Sequence, residues 1–192
     1  MSLRIDARLN LVIPIERNDG IPVYVHAMPV SREVFESYHR VMSKAFSNVW
    51  RDGGVLSGPS VAELVLRDAA IEMRVWDTEG GVRDGLLAEI RRLANVAMPT
   101  ANGWESVPFD EVVSRNVIDP MDIAEAMGSM VFFTLVSSVQ KRKVAPDMLK
   151  AAGDLWGTQT TYSTLMEFIA SLPTSKTDDS SGTQVAASSV PT

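Results

Sequence analysis

The sequence predicts a predominantly helical α+β fold: an N-terminal β-hairpin, about six helices, and a disordered C-terminal tail. Three observations carry this. Two runs of alternating apolar residues flank a polar turn near the N-terminus. Apolar residues then recur at helical spacing through most of the chain, punctuated by Gly and Pro. After Pro173 the composition collapses to small and polar residues. A chain of 192 residues is long enough for one domain with a sizeable core. The expected organisation is a single globular domain over residues 1–173, with the hairpin at 8–28 and the helical part at 31–172, and a tail at 174–192.

The hairpin comes first. Leu9, Leu11, Ile13 and Ile15 alternate onto one face of a strand, and Ile21, Val23, Val25 and Ala27 do the same on the next. Glu16 to Gly20 lies between them and contains Asn18, Asp19 and Gly20, which tolerate positive φ. Pro14 and Pro22 lack a donor N–H and place those positions at an edge or at strand ends. An isolated hairpin is marginal in water, so its apolar face must pack on the helices or on another subunit.

Ser31 reads as an N-cap for a helix carrying Val34, Phe35, Tyr38, Val41, Met42, Ala45, Phe46 and Val49 at helical spacing. Glu36 and Arg40 are placed to pair at i,i+4. Gly53-Gly54 ends that helix, and Ser60 opens a second one to about Met73. After Gly80-Gly81 a third helix is expected over roughly Val82 to Ala97, stopped by Pro99. Thr100 to Val107, with Trp104, reads as a loop, and Pro108 to Arg115 as a short helix with acids in its first turn. Asp119-Pro120 is an N-cap and N1 pair opening a long helix to about Arg142. That helix is apolar on several sides, which marks it as central or as part of an interface. Lys141-Arg142-Lys143 fits its C-terminal end, where cations offset the dipole. A weaker helix runs from Pro146 through Leu155, Gly157 and a Thr-rich loop follow, and a last helix covers Ser163 to Ser171. The tail cannot bury enough apolar surface to offset its ordering entropy.

The residues point to no chemistry. The chain has no cysteine, which excludes disulfides and thiolate catalysis. Its two histidines, His26 and His39, read as surface or partly buried side chains rather than metal ligands. No phosphate-binding or nucleophile motif occurs, and the glycine cluster from Gly53 to Gly58 reads as a linker without the lysine a phosphate loop needs. Asp119, Asp122 and Glu125 can share a helix face, yet the first two also suit a helix N-terminus. Neither cofactor nor metal is expected. A net charge of −6 disfavours nucleic acid as a partner. Arg4, Asp6 and Arg8 interrupt the first residues, so no secretory signal is expected. The apolar stretch Met127 to Val139 is too short to span a bilayer and reads as a buried helix, with no membrane role expected. Trp50, Trp76, Trp104 and Trp156 fall at helix ends or loops and read as lids on the core, with interface anchoring as the alternative. Most of the ten methionines read as core.

Five segments carry a resemblance: LNLVIPI at 9–15, GIPVYVHAMPVSREVFESY at 20–38, LLAEIRRLANVAMP at 86–99, MVFFTLVSSVQKR at 130–142 and EFIASLPTS at 167–175. Together they resemble a tail assembly chaperone of long-tailed, siphovirus-type bacteriophages, over most of residues 9–175. The resemblance implies a non-enzymatic helper in the host cytoplasm. It would bind the tape measure protein, keep it soluble and bring tail tube protein to it, with self-association a further option. It brings no catalytic residues. Helix-in-groove recognition is the expected mode, with Phe132, Phe133, Leu165, Phe168, Ile169 and Leu172 as the candidate partner-binding residues. The rival expectation is a structural virion protein of the tail or head–tail connector.

Overall fold

The computed structural model describes residues 8–17, 20–51 and 54–173. Within them lie a five-stranded antiparallel sheet and seven α-helices. The strands are β1 (Asn10–Ile15), β2 (Val23–Ala27), β3 (Ala94–Thr100), β4 (Gly103–Pro108) and β5 (Gln159–Thr161), in spatial order β4-β3-β2-β1-β5. The helices are α1 (Arg32–Arg51), α2 (Ser60–Glu72), α3 (Leu87–Arg92), α4 (Phe109–Ser114), α5 (Pro120–Val139), α6 (Ala145–Trp156) and α7 (Leu165–Ser171).

The expected hairpin forms as β1 and β2, with Ile13 opposite Val25 and Ile15 opposite Val23. Gly20 sits at φ 75° and its N–H donates to the Arg17 carbonyl, so the turn uses the left-handed conformation that glycine permits. Asn18 and Asp19 lie outside the described residues, as does the expected tail at 174–192. Pro14 is the exposed position of β1.

The third helix is where structure and expectation part. A π-helical turn, Val82–Leu86, leads into α3, which stops at Arg92, and the chain turns into β3 at Ala94. The segment expected to be a loop is β4, paired with β3 from Asn95–Pro108 to Thr100–Gly103. Leu86, Leu87 and Ile90 are buried at helical spacing, which carried the helical reading onward. In place of another turn of helix, Ala94 and Val96 pair with Ala27 and Val25 of β2 and extend the sheet. Burying two apolar strands side by side outweighs a weak local helical preference.

The main core lies between one sheet face and the helices. Leu11, Ile13, Ile15, Val23, Val25, Ala27, Ala94 and Val96 face α-helical residues such as Met42, Leu66 and Phe133 in one cluster. α5 is its axis, touching α1, α2, α3, α6 and β1. Asp119 caps it as expected: its carboxylate accepts from the Met121 N–H at 2.8 Å, with Pro120 at the first position. An unbroken run from Ala126 to Val136 is buried. Among the described residues α5 alone has the length and mean hydropathy, 1.3, to cross a membrane, and 61% of that window is buried inside this chain. A Cβ at Gly128 would strike the Pro59 carbonyl and come within 2.7 Å of the Ser60 Cα, so the glycine is what lets α5 cross the start of α2 at backbone contact. α5 ends at Val139, so Lys141, Arg142 and Lys143 lie beyond it in an exposed turn rather than on its last turn.

α1 begins where expected, the Val34 N–H reaching the Ser31 hydroxyl at 3.3 Å. Glu36 pairs backward with Arg32 at 2.7 Å, where Arg40 was expected. Both side chains are exposed, and such a pair adds little stability.

Candidate partner-binding surface

The second sheet face is built from the alternate residues of the same strands. By register it carries Asn10 and Val12 on β1, Tyr24 and His26 on β2, Asn95 and Ala97 on β3, and Trp104 on β4. Val12, His26 and Ala97 are buried, yet Val12 and Ala97 stand outside the main core cluster. They belong to a second, smaller apolar layer.

α7 covers that layer. Gly157, at φ 69°, ends α6 and turns the chain into β5, which pairs with β1 at Asn10–Thr161 and Leu11–Thr160. The Ser163 N–H donates to the Thr161 hydroxyl, and Thr164 then opens α7 with a capping box: its hydroxyl accepts from the Glu167 N–H while the Glu167 carboxylate accepts from the Thr164 N–H. The Phe168 ring lies 5.5 Å from Tyr24, edge to face, and 5.9 Å from His26. Tyr24 in turn lies 5.7 Å from Trp104, whose indole N–H donates to the Pro173 carbonyl at 3.0 Å.

Two buried polar side chains anchor the start of this cover. Asn10 Nδ2 donates to the Ser163 carbonyl at 3.0 Å, and His26 Nε2 lies 3.2 Å from the same oxygen. That carbonyl accepts from Nε2 in the tautomer that carries its proton there. His26 is 2% exposed, and burial holds its pKa below the ordinary histidine range, partly opposed by the Ser163 carbonyl and by its own backbone carbonyl. Asn10 Oδ1 is buried and has no hydrogen-bond partner among the described residues.

The six candidate residues divide sharply. Phe132 and Phe133 are 2% and 1% exposed and lie in the main core. Phe132 packs edge-to-face on Trp156 at 4.7 Å and contacts Trp50 at 6.4 Å. Both rings are thus placed inside this chain, where α5 packs against α1, α2 and α6, and not on its surface as the candidate set expects. Leu165, Phe168, Ile169 and Leu172 are all half-buried, and Met166 beside them is 69% exposed. No residue of α7 is fully buried. The seat beneath it, Val12, Tyr24, His26, Ala97 and Trp104, was missed. Part of its signal is present in the sequence: Val12 and Tyr24 are not the charged or small polar residues a solvated sheet face would carry, and a strand with apolar bulk on both sides is covered on both sides.

Elsewhere the surface offers little for chemistry. Among the described residues no group of three His, Cys, Asp or Glu side chains is placed to hold a metal. A cavity of about 230 Å³ is lined by Glu16, Ile118, Asp119 and Asp122, and the Asp119 carboxylate there is engaged in capping α5. A depression of about 480 Å³ is lined by Arg67, Arg74, Trp76 and Asp77; Arg67 stacks over Trp76 at 5.7 Å and Asp77 pairs with Arg83 at 2.7 Å. His39 is exposed, and its Nδ1 bonds the Glu36 carbonyl within α1. No family model, curated protein or solved structure matches the chain.

Proposed function

We propose that this chain is a non-enzymatic tail assembly chaperone of long-tailed bacteriophages, binding apolar amphipathic helices of a tape measure protein in the host cytoplasm and helping to recruit tail tube protein to them. The family reading rests on the five sequence segments at 9–15, 20–38, 86–99, 130–142 and 167–175. One structural observation supports the binding mode. The second sheet face holds a short helix whose apolar residues Leu165, Phe168 and Ile169, with Leu172 just past its end, fall at i, i+3, i+4 and i+7, the pattern by which a helix docks in a groove. A surface that accepts such a helix from its own chain has the chemistry to accept one from a client.

The test is co-expression with the tape measure protein encoded beside it. The wild-type chain should keep that protein soluble and co-purify with it. Tyr24→Asp, which puts a charge on the half-buried seat, should lose both while the chain stays folded. Mass spectrometry of purified virions separates the rival: a stoichiometric copy number would make this a structural tail or connector protein and overturn the chaperone reading.

A further inference from the structure

We infer that α7 is a displaceable plug: it occupies, in cis, a seat on the second sheet face whose other occupant is an amphipathic helix of a separate chain with the same apolar spacing and an aromatic residue at the Phe168 position. This deepens the proposed function and rests on it only for the identity of the client, not for the existence of the seat.

Three observations carry the inference. First, α7 spans seven residues, too short to persist as a helix on its own, so its order depends on the seat. Second, it fits incompletely. In the row that crosses the sheet from Pro14 through Tyr24 and Ala97 to Ser106, Ala97 is buried, Tyr24 is half-buried, and Pro14 and Ser106 at the flanks remain exposed. A helix of three or more turns would reach what α7 leaves open. Third, the seat lies outside the main cluster: Val12 and Ala97 pack apart from the core around α5, so uncovering them leaves that core intact.

The client is defined by what α7 presents. Leu165, Phe168, Ile169 and Leu172 form one stripe, and Phe168 is the anchor between Tyr24 and His26. A client helix competes for the same contacts, so the apparent affinity of the resting protein is its intrinsic affinity reduced by the fraction of molecules whose α7 has left. The plug therefore keeps an apolar sheet face covered until a better-fitting helix is present.

The experiment uses the full chain and a fluorescent synthetic peptide of residues 162–173 as the probe. Phe168→Ala in the protein should bind the peptide at least about tenfold more tightly than wild type, because its own plug is loosened while the seat is untouched. Adding Tyr24→Ala to Phe168→Ala should return the affinity to the wild-type level or below. Thr164→Ala, which removes the capping box without altering any apolar contact, should move affinity in the same direction as Phe168→Ala by a smaller factor. Equal affinity of wild type and Phe168→Ala, indifference to Tyr24→Ala, or global unfolding of Phe168→Ala would each overturn the plug, the last because α7 would then be part of the core. Peptide binding as expected, together with failure to solubilise a tape measure protein, would leave the seat standing and remove the chaperone reading instead.

Discussion

The two faces of the sheet are covered in different ways. On one, α1, α2, α3 and α5 bury a continuous apolar cluster that runs from Leu11 to Phe133 and through Gly128 brings helix backbones into contact. On the other, a seven-residue helix with no fully buried residue lies over a thin apolar layer and two buried polar side chains. The first cover is tied in by packing along the length of α5. The second depends on Phe168, a capping box, the Ser163 carbonyl and one indole hydrogen bond. Local stability varies across a fold with the density of such contacts, and elements that must move are drawn from its weak end. The same sheet thus carries a permanent face and an exchangeable one.

The largest expected effect breaks the permanent side. Phe133→Ala should cost about 3–5 kcal/mol of global stability, because a large ring that is 1% exposed leaves a cavity beside α5. Denaturant unfolding should show a single earlier transition for the whole chain. A loss under about 1 kcal/mol would mean that the two faces are not energetically distinct.

Thr164→Ala sharpens the comparison from the other side. Losing an N-cap costs about 1 kcal/mol, and here the cost should fall on α7 alone. Amide exchange of α7, and of Tyr24 and His26 beneath it, should accelerate while α5 amides and the global midpoint hardly move. Uniform acceleration across the chain would merge the two sides into one cooperative unit.

Acid should act on the same side. The pKa of His26 is lowered in the closed protein, so the open or unfolded form binds a proton first as pH falls. The stability that neutral His26 lends to the closed form is complete above the ordinary histidine pKa of about 6.5 and is lost as pH falls from there toward the lowered value. Its nearest partners, Ser163, Phe168, Val12 and Asn95, carry no charge to offset the proton. Trp104 fluorescence and α7 exchange should report loosening over that window, and His26→Gln should flatten the dependence.

Much of the permanent side was legible in the sequence because its signals are local. Ser31 and Asp119-Pro120 announce α1 and α5 through the hydrogen bonds they make, and the alternation in Leu11, Ile13 and Ile15 announces β1. β3 and β4 were not legible by periodicity, since the apolar spacing of α3 runs on into Ala94 and only pairing with β2 makes the next residues a strand. Asn102-Gly103 was the available turn signal: Gly103 stands at φ 129°, just after the two residues that separate β3 from β4. The candidate site was half legible. Helical spacing marks Phe132, Phe133 and the α7 stripe alike as apolar, and spacing alone does not say which face the fold has already used. That depends on α2 and α6 reaching α5 across the chain. The seat is not legible because its members come from four strands, and the local pattern of two of them, β3 and β4, is that of a helix and a loop.

Asn10 and His26 give the exchangeable face a property that apolar area does not. Both side chains lie against the one Ser163 carbonyl, just ahead of α7. A buried donor left without its acceptor costs about 1–3 kcal/mol, whatever the hydrophobicity of what covers it. The face therefore ranks helices by how their chain enters over β1 and β2 as well as by their apolar stripe.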